Sequence, residues 1–411
     1  MSMPETDRQI LRDLAKQVAG IAADPVQDEK RELWRKLNAL EPVRPLVLIG
    51  PDTWHEMGHE IPRECEDDWA RGQEWGLRLA IWFWENMPDD RINSGVVHSP
   101  IQAWDTGYGI EVDHTRPDHI FGAAMYNSVL DDDADPEKII AMPEVSVDWD
   151  ATEQTYERLS ELYDGIMPVE KTGLLGHWFA IMDDLIQWRS IEQVYIDMLD
   201  RPEWVHSWMN RLTDWHISRL DQHEELGTLA LNNKGTNVGP GGSGYTDLLP
   251  QPDLNGGPVR TVDQWGFATT QIFSEVSPEM HDEFAVTYEK RFLDRFGLSG
   301  YGCCEPLDDK VDILRKIPNL RRVSMSPWVD CAKGAEALGT DYIFSWKPNP
   351  AILGMVTWNE QLVRDQVREC LEKTRGCRVE MLMKDLHTCR GETWRMFEWV
   401  RIAMELAEEY A

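Results

Sequence analysis

The chain has 411 residues, with 41 Lys and Arg against 73 Asp and Glu, a formal charge of −32 and a pI near 4.6. Such a surface repels phosphate backbones and anionic lipid heads, which argues against nucleic acid and membranes as partners. No apolar run approaches the ~20 residues needed to span a bilayer, and the charged N-terminus lacks the apolar core of a signal peptide. Seven scattered cysteines, an odd number, do not read as a disulfide framework. The expectation is a cytoplasmic protein with reduced thiols.

Residues 5–40 read as helices. Leu11, Leu14, Val18 and Ile21 recur at helical spacing, Pro25 breaks the pattern, and Leu33, Trp34, Leu37 and Leu40 form a second stripe. This predicts an N-terminal helical extension over residues 1–43, packed on the main body or on a partner subunit, so a homodimer fits. The main body then covers 44–411. Its first buried strand is Pro45 to Ile49, ended by Gly50-Pro51, with Trp54 just beyond. A Trp-rich helix follows over 67–86, then a second strand, Gly95 to His98. Residues 104–150 are irregular, and their acidic run, 131–135, reads as a solvated loop.

Strand signals recur at Leu174 to Phe179 and Thr228 to Leu231, on either side of a long helix opened by Pro202-Glu203. His177 suits burial as well as function. The Gly- and Pro-rich stretch 235–260 reads as a mobile substrate-covering loop or simply a long connection. From 278 onward the rhythm is regular. Helices near 278–296, 308–316, 332–338, 359–374 and 391–409 alternate with strands near 301, 322–325, 342–345 and 379–383. Alternation roughly every 20–35 residues is the βα pattern of a parallel sheet. About eight strand signals favour a closed (β/α)8 barrel, whose chemistry sits at the strand C-terminal ends.

Two of those ends carry ligand-type residues. One strand runs into Tyr301-Gly302-Cys303-Cys304-Glu305. Another, Val379 to Met383, leads into Asp385-Leu386-His387-Thr388-Cys389. Residues i and i+2 of a strand share a face, so Cys303 pairs with Glu305, and His387 with Cys389 if the backbone stays extended. Cys303, Glu305, His387 and Cys389 are ordinary zinc ligands, and an open zinc acts as a Lewis acid. The alternatives are buried structural cysteines and a histidine donating to a backbone carbonyl. Met381 and Met383 read as barrel filling.

Trp328-Val329-Asp330 and Trp346-Lys347-Pro348-Asn349 end consecutive strands. A tryptophan beside a charge suits an aromatic acid, the ring packing on Trp328 or Trp346 and Lys347 meeting its carboxylate, with Asn349 beside them. The bland alternative is a Lys347–Asp330 ion pair at the rim. Trp54 and His98 are weaker substrate-binding candidates at the first two strand ends. Glu305, Asp330 and Lys347 are the candidate catalytic groups.

With these motifs in hand, most of the chain after the helical lead-in resembles the uroporphyrinogen decarboxylase superfamily. The resemblance rests on Pro202-Glu203, the Ser277-Pro278-Glu279 helix start, the GYGCCEP run at 300–306 and the KPNP segment at 347–350. The superfamily includes cofactor-free decarboxylases of haem synthesis and zinc-dependent methyltransferases that serve corrinoid proteins. In its coenzyme M methyltransferases a His-x-Cys strand and a later cysteine bind the zinc. Here Cys303-Cys304-Glu305 stands in the first position, and the later cysteine falls at His387-Thr388-Cys389. Arg44-Pro45 stands where a decarboxylase motif would begin, but the chain continues as LVLIGPDTW. The resemblance therefore implies the branch of O-demethylating methyltransferases of anaerobic metabolism. It also implies zinc as cofactor, and cobalamin carried by a separate corrinoid protein, since no Asp-x-His-x-x-Gly run occurs. The methyl donor is a small molecule: methoxylated aromatics, methanol-like donors and methylamines all fit. Two other readings stand beside it: a metal-free decarboxylase or lyase, and a non-catalytic carrier holding a tetrapyrrole in a Trp-lined cavity.

Overall fold

A computed structural model describes residues 3–119 and 122–411. Its centre is a curled, six-stranded parallel sheet. The strands are β1 (Leu46–Pro51), β2 (Trp265–Ala268), β3 (Leu298–Tyr301), β4 (Leu320–Met325), β5 (Ile343–Trp346) and β6 (Arg378–Leu386). Their order across the sheet is β1-β6-β5-β4-β3-β2. The first strand in sequence therefore pairs with the last, Val47 opposite Met381 and Ile49 opposite Met383.

Nearly every strand residue is buried because both faces are covered. The alternation of side chains separates the faces. Val47, Ile49, Met381 and Met383 pack with the helices in the main core, whereas Leu46, Leu48, Ile343 and Leu382 pack on the concave side around Trp34. Met381 and Met383 thus fill the core between sheet and helices, on the side opposite the barrel interior where the sequence reading put them.

The helices that matter below are α1 (Glu5–Ala22), α2 (Val26–Asn38), α3 (Asp68–Asn86), α4 (Ile181–Arg189), α5 (Pro202–Glu225), α6 (Thr287–Leu293), α7 (Cys331–Leu338), α8 (Glu360–Lys373) and α9 (Trp394–Glu409). From β3 to α9 the strand–helix alternation matches the sequence reading element for element. The expected strands near 96, 176 and 229 are less regular. Residues 97–100 pair in parallel with 169–172 in a separate ladder, and the other two contribute single bridges, Leu174 to Leu229 and Phe179 to Ala268. A closed eight-stranded barrel is compatible with this arrangement; the regular sheet has six strands.

Beyond β1, Asp89 and Asp90 take the place of a neighbouring strand. Their carboxylates accept from the N–H groups of Ile49 and Val47, and Asp90 N–H donates to Val47 O. The N-terminal helices are built into this body. Trp34 of α2 is fully buried at the strand starts, and Asn38 donates to the carbonyls of Ser243 and Tyr245.

The Gly-rich stretch is a packed connection rather than a covering loop. A Cβ on Gly242 would lie 2.3 Å from the Trp34 ring, and one on Gly239 would lie 2.3 Å from Phe267. The stretch closes the floor of the curled sheet with a buried polar cluster. Arg322 reaches Gly242 O and Asn38 Oδ1, and Glu380 accepts from Gly242 N–H and Ser345 Oγ.

Candidate functional site

The C-terminal end of the sheet gathers the ionisable groups. Gly302 follows β3 at φ +89°, a conformation glycine adopts without strain, and a Cβ there would meet Leu307 Cδ1 at 2.3 Å. That turn swings Glu305 inward. Glu305 is fully buried and accepts from Cys303 N–H and from Thr269 Oγ1, each at 2.9 Å. Burial raises its pKa, and the backbone donors work against that rise.

Cys303 and Cys304 lie sulfur to sulfur at 3.5 Å. Lys384, near the end of β6, places Nζ 3.5 Å from Cys303 Sγ and 3.8 Å from Cys304 Sγ, and donates to Asp385 Oδ2 at 2.5 Å. The hydrogen bond between the thiols splits their acidities. It lowers Cys304 to about 7 against the effect of burial, with the Lys384 charge adding to the drop. The same bond, with burial, pushes the Cys303 thiol far up. Burial disfavours the Lys384 charge, but the two sulfurs and Asp385 outweigh it and hold the ammonium on. Cys304 is half-buried, so this thiolate is reachable.

Two acids lie near. Asp183 on α4 accepts from Gln271 Nε2 at 2.6 Å through Oδ2, while its Oδ1 has no partner. Burial raises Asp183 to about 7, and the charges of Glu305, Asp184 and Cys304 contribute. Glu289 on α6 is raised to about 8 by burial. It accepts from Tyr301 Oη and Thr270 Oγ1, and Tyr301 also contacts His281 Nε2 at 2.7 Å. The result at neutral pH is a thiolate–ammonium pair beside acids that keep part of their protons.

The other expected residues are placed as follows. Lys347 points into the concave interior and donates to Ser345 O at 3.1 Å and Ser345 Oγ at 2.5 Å. It faces a cavity of about 10 Å³, roughly the room one water needs. Burial lowers its pKa to about 7. Trp346, one residue earlier, faces the opposite way by strand alternation. With Asn349 it lines a separate cavity of about 170 Å³ between α7 and α8. Asn349 caps the turn after it by accepting from Ala351 N–H, so Trp346, Asn349 and Lys347 do not form one pocket.

Asp330 is the N-cap of α7, accepting from the N–H groups of Ala332 and Lys333, and it makes no ion pair with Lys347. Trp328 is 71% exposed. Trp54 packs edge-on against Trp75, Trp82 and Phe83. His98 meets Thr172 Oγ1 at 2.9 Å on the outlying ladder. His177 is buried against Gln264 and lowered to about 4 by that burial.

His387 and Cys389 do not share a face. Asp385 takes φ +56°, the regular strand ends at Leu386, and His387 is exposed while Cys389 is buried. Cys389 is bound to Glu56 instead, its thiol 3.4 Å and its N–H 3.0 Å from Oε2. Burial and Glu56 raise that thiol to about 11. Cys303, Glu305, His387 and Cys389 therefore do not make up one ligand set as arranged. Among the described residues, no group of three or more His, Cys, Asp and Glu side chains is placed to hold a metal ion. The charge beside the two thiols is supplied by Lys384.

Lys384 and Asp183 are the residues that sequence reasoning passed over. Lys384 carried one signal: alternation puts it on the same side as Glu380, the concave side. Asp183 had none, because its helix follows an irregular segment.

No family model matches the chain, and no curated protein matches it. Among solved structures it is similar to a methyltransferase from Methanosarcina mazei, with 11% identity over 92% of this chain and 98% of that chain, at a TM-score of 0.48. At that level the likeness bears on neither reaction nor substrate.

Proposed function

We propose that the chain is an enzyme of methyl transfer, taking a methyl group from a methoxylated aromatic and giving it to the cobalt of a separate corrinoid protein. The observation that carries the reading is the cluster around Cys304: the Lys384 ammonium 3.8 Å from its sulfur, and Asp183, an acid raised to about 7 by burial and by charges that include Cys304. An aryl methyl ether is a poor substrate because its oxygen must leave as an anion. The cobalt of the partner supplies the nucleophile for the methyl carbon. The chain's own task is then to stabilise and protonate the oxygen as charge develops. Asp183, protonated in part at pH 7 and with Oδ1 unpartnered, donates that proton. The Lys384 ammonium lowers the energy of the phenolate. Cys304 keeps Lys384 charged, and Glu305 holds the turn through Thr269 and Cys303. As arranged, Cys303, Glu305, His387 and Cys389 do not fit a zinc ion, since Cys389 is held on Glu56.

The test is a demethylation assay with methoxybenzoates and a reduced corrinoid protein. Release of the phenol, dependent on the corrinoid protein and on Asp183, supports the reading. Phenol formation unaffected by Asp183→Asn removes it.

A second reading, a metal-free decarboxylase or lyase, is favoured by one feature. Two lysines, Lys347 and Lys384, stand near the strand ends, where a substrate carboxylate would lie. It predicts carbon dioxide release without any corrinoid protein.

A further inference from the structure

A cavity of about 590 Å³ lies away from the strand ends, between α2, the end of α3, the connector 87–94 and α9. Its size falls in the ~300–1,000 Å³ range of small-molecule sites. None of the groups described at the strand ends lines it. The walls are mainly apolar: Leu33 from α2, Trp84 from α3 and Met404 from α9. Val26, Lys30 and Leu33 fall at i, i+4 and i+7 of α2, so one helix face lines the site.

The polar groups of this cavity divide sharply. Its buried acids are already matched. Asp90 takes both branches of Arg44, whose Nε also reaches Glu408. Asp89 accepts from the N–H groups of Ile49 and Arg91. The buried unmatched atoms are both donors, and the further acid of the lining, Glu29, is exposed. Gln27 is fully buried, and Asn93 N–H donates to its Oε1 at 2.8 Å, which fixes the amide orientation and leaves Nε2 without a partner. The Arg91 Nε is likewise buried and unpartnered. Lys30, one turn from Gln27, has three protons to donate. It spends one on Arg91 O at 3.3 Å, with its ammonium 5.7 Å from the Trp84 ring. Burial lowers the Lys30 pKa, against the charges of Asp89 and Asp90, which raise it.

A buried donor without an acceptor has given up its bond to water for nothing in return, so such groups call for an explanation. We infer that this cavity binds a small carboxylic acid with an apolar body, its carboxylate held by Lys30 and Gln27 and its body packed on Leu33, Trp84 and Met404. The site needs no turnover and is independent of the methyl-transfer reading.

Isothermal titration of the full chain with octanoate, octanamide and 1-octanol tests it. Octanoate is expected to bind at least tenfold more tightly than 1-octanol, with octanamide between them. Lys30→Met, which keeps the apolar stem, should weaken octanoate at least tenfold while leaving 1-octanol unchanged. Leu33→Trp, which fills the cavity without touching a polar group, should abolish binding of all three. Thermal melting of each variant verifies that it is folded. No heat from octanoate at 5 mM, equal affinity for octanoate and 1-octanol, or unchanged octanoate binding in folded Lys30→Met would each overturn the inference.

Discussion

The Lys384 ammonium stands 3.8 Å from the Cys304 sulfur, although 80 positions separate the two in sequence. The contact joins the end of β6 to the turn after β3, two strands that are not neighbours in the sheet. It adds to a split that the hydrogen bond between Cys303 and Cys304 sets up, one thiol acidic and the other neutral, so chemical reactivity should be uneven between adjacent residues.

Cys304 should alkylate with half-maximal rate near pH 7, well below an ordinary thiol. Lys384→Met should move that midpoint upward by about one unit, since an ammonium at this range accounts for a shift of that order. Iodoacetamide rates across pH 6–10, read by peptide mass spectrometry, measure both values. Equal rates at Cys303 and Cys304 would contradict the split.

Asp183→Asn should lower methyl-transfer turnover by about 10²-fold, the usual worth of a positioned acid. In the wild type the acid form is the useful one, so the rate should fall as pH rises through about 7. The variant should lose that limb of the profile. A pH–rate curve on both proteins decides the matter.

Lys347 titrates near 7 in the folded chain against a reference of 10.5. Between these values the unfolded chain binds the extra proton, so this group's contribution to stability rises with pH across that window. Below about pH 7 both states are charged and the desolvation cost is felt in full, on the order of a few kcal/mol. Lys347→Met should therefore raise the free energy of unfolding at pH 6–7 and flatten the pH dependence relative to wild type. Denaturant melts of both proteins at pH 6, 7.5 and 9 test the difference, which cancels the background from the chain's other charges.

Glu56 gathers Thr388 Oγ1 and the N–H groups of Cys389 and Gly391 on one carboxylate. Burial opposes its charge, yet these donors prevail and lower it to about 2. The hold on residues 388–391 should therefore persist at mild acid, weakening only as pH falls from about 4.5 toward 2. Glu56→Gln should cost about 2 kcal/mol and free the segment. Hydrogen exchange at 386–391 should quicken, and Cys389 should label faster at pH 8. Unchanged exchange would mean the carboxylate is not what holds this turn.

Much of the fold was legible because strands covered on both faces are plain apolar runs, and β3 to α9 repeat that signal without interruption. The early strands were less so. Residues 97–100 left the main sheet to pair with 169–172, which carried no strand signal, and Asp89 and Asp90 fill the place beside β1 where a barrel has its next strand. Period-2 reasoning gave Cys303 and Glu305 one strand face, but β3 ends at Tyr301 and the two meet in the turn beyond it, where Cys303 N–H donates to the Glu305 carboxylate. It failed beyond Asp385, where one residue at positive φ ends the alternation and sends Cys389 to Glu56. It also grouped Trp346 with Lys347, although neighbours on a strand face opposite ways. Asp330 looked catalytic at a strand end, but an aspartate just ahead of a helix is first a cap. Lys384 was missed because its partners lie on another strand, and spacing along one segment carries no trace of them.

The pairing of β1 with β6 has a consequence for synthesis. A strand that ends at Pro51 waits for a partner that ends at Leu386, so every residue between them must leave the ribosome before the sheet gains that edge. Until then the apolar run 46–49 has an exposed flank, and the nascent protein depends on its leading helices, or on a chaperone, to shield it.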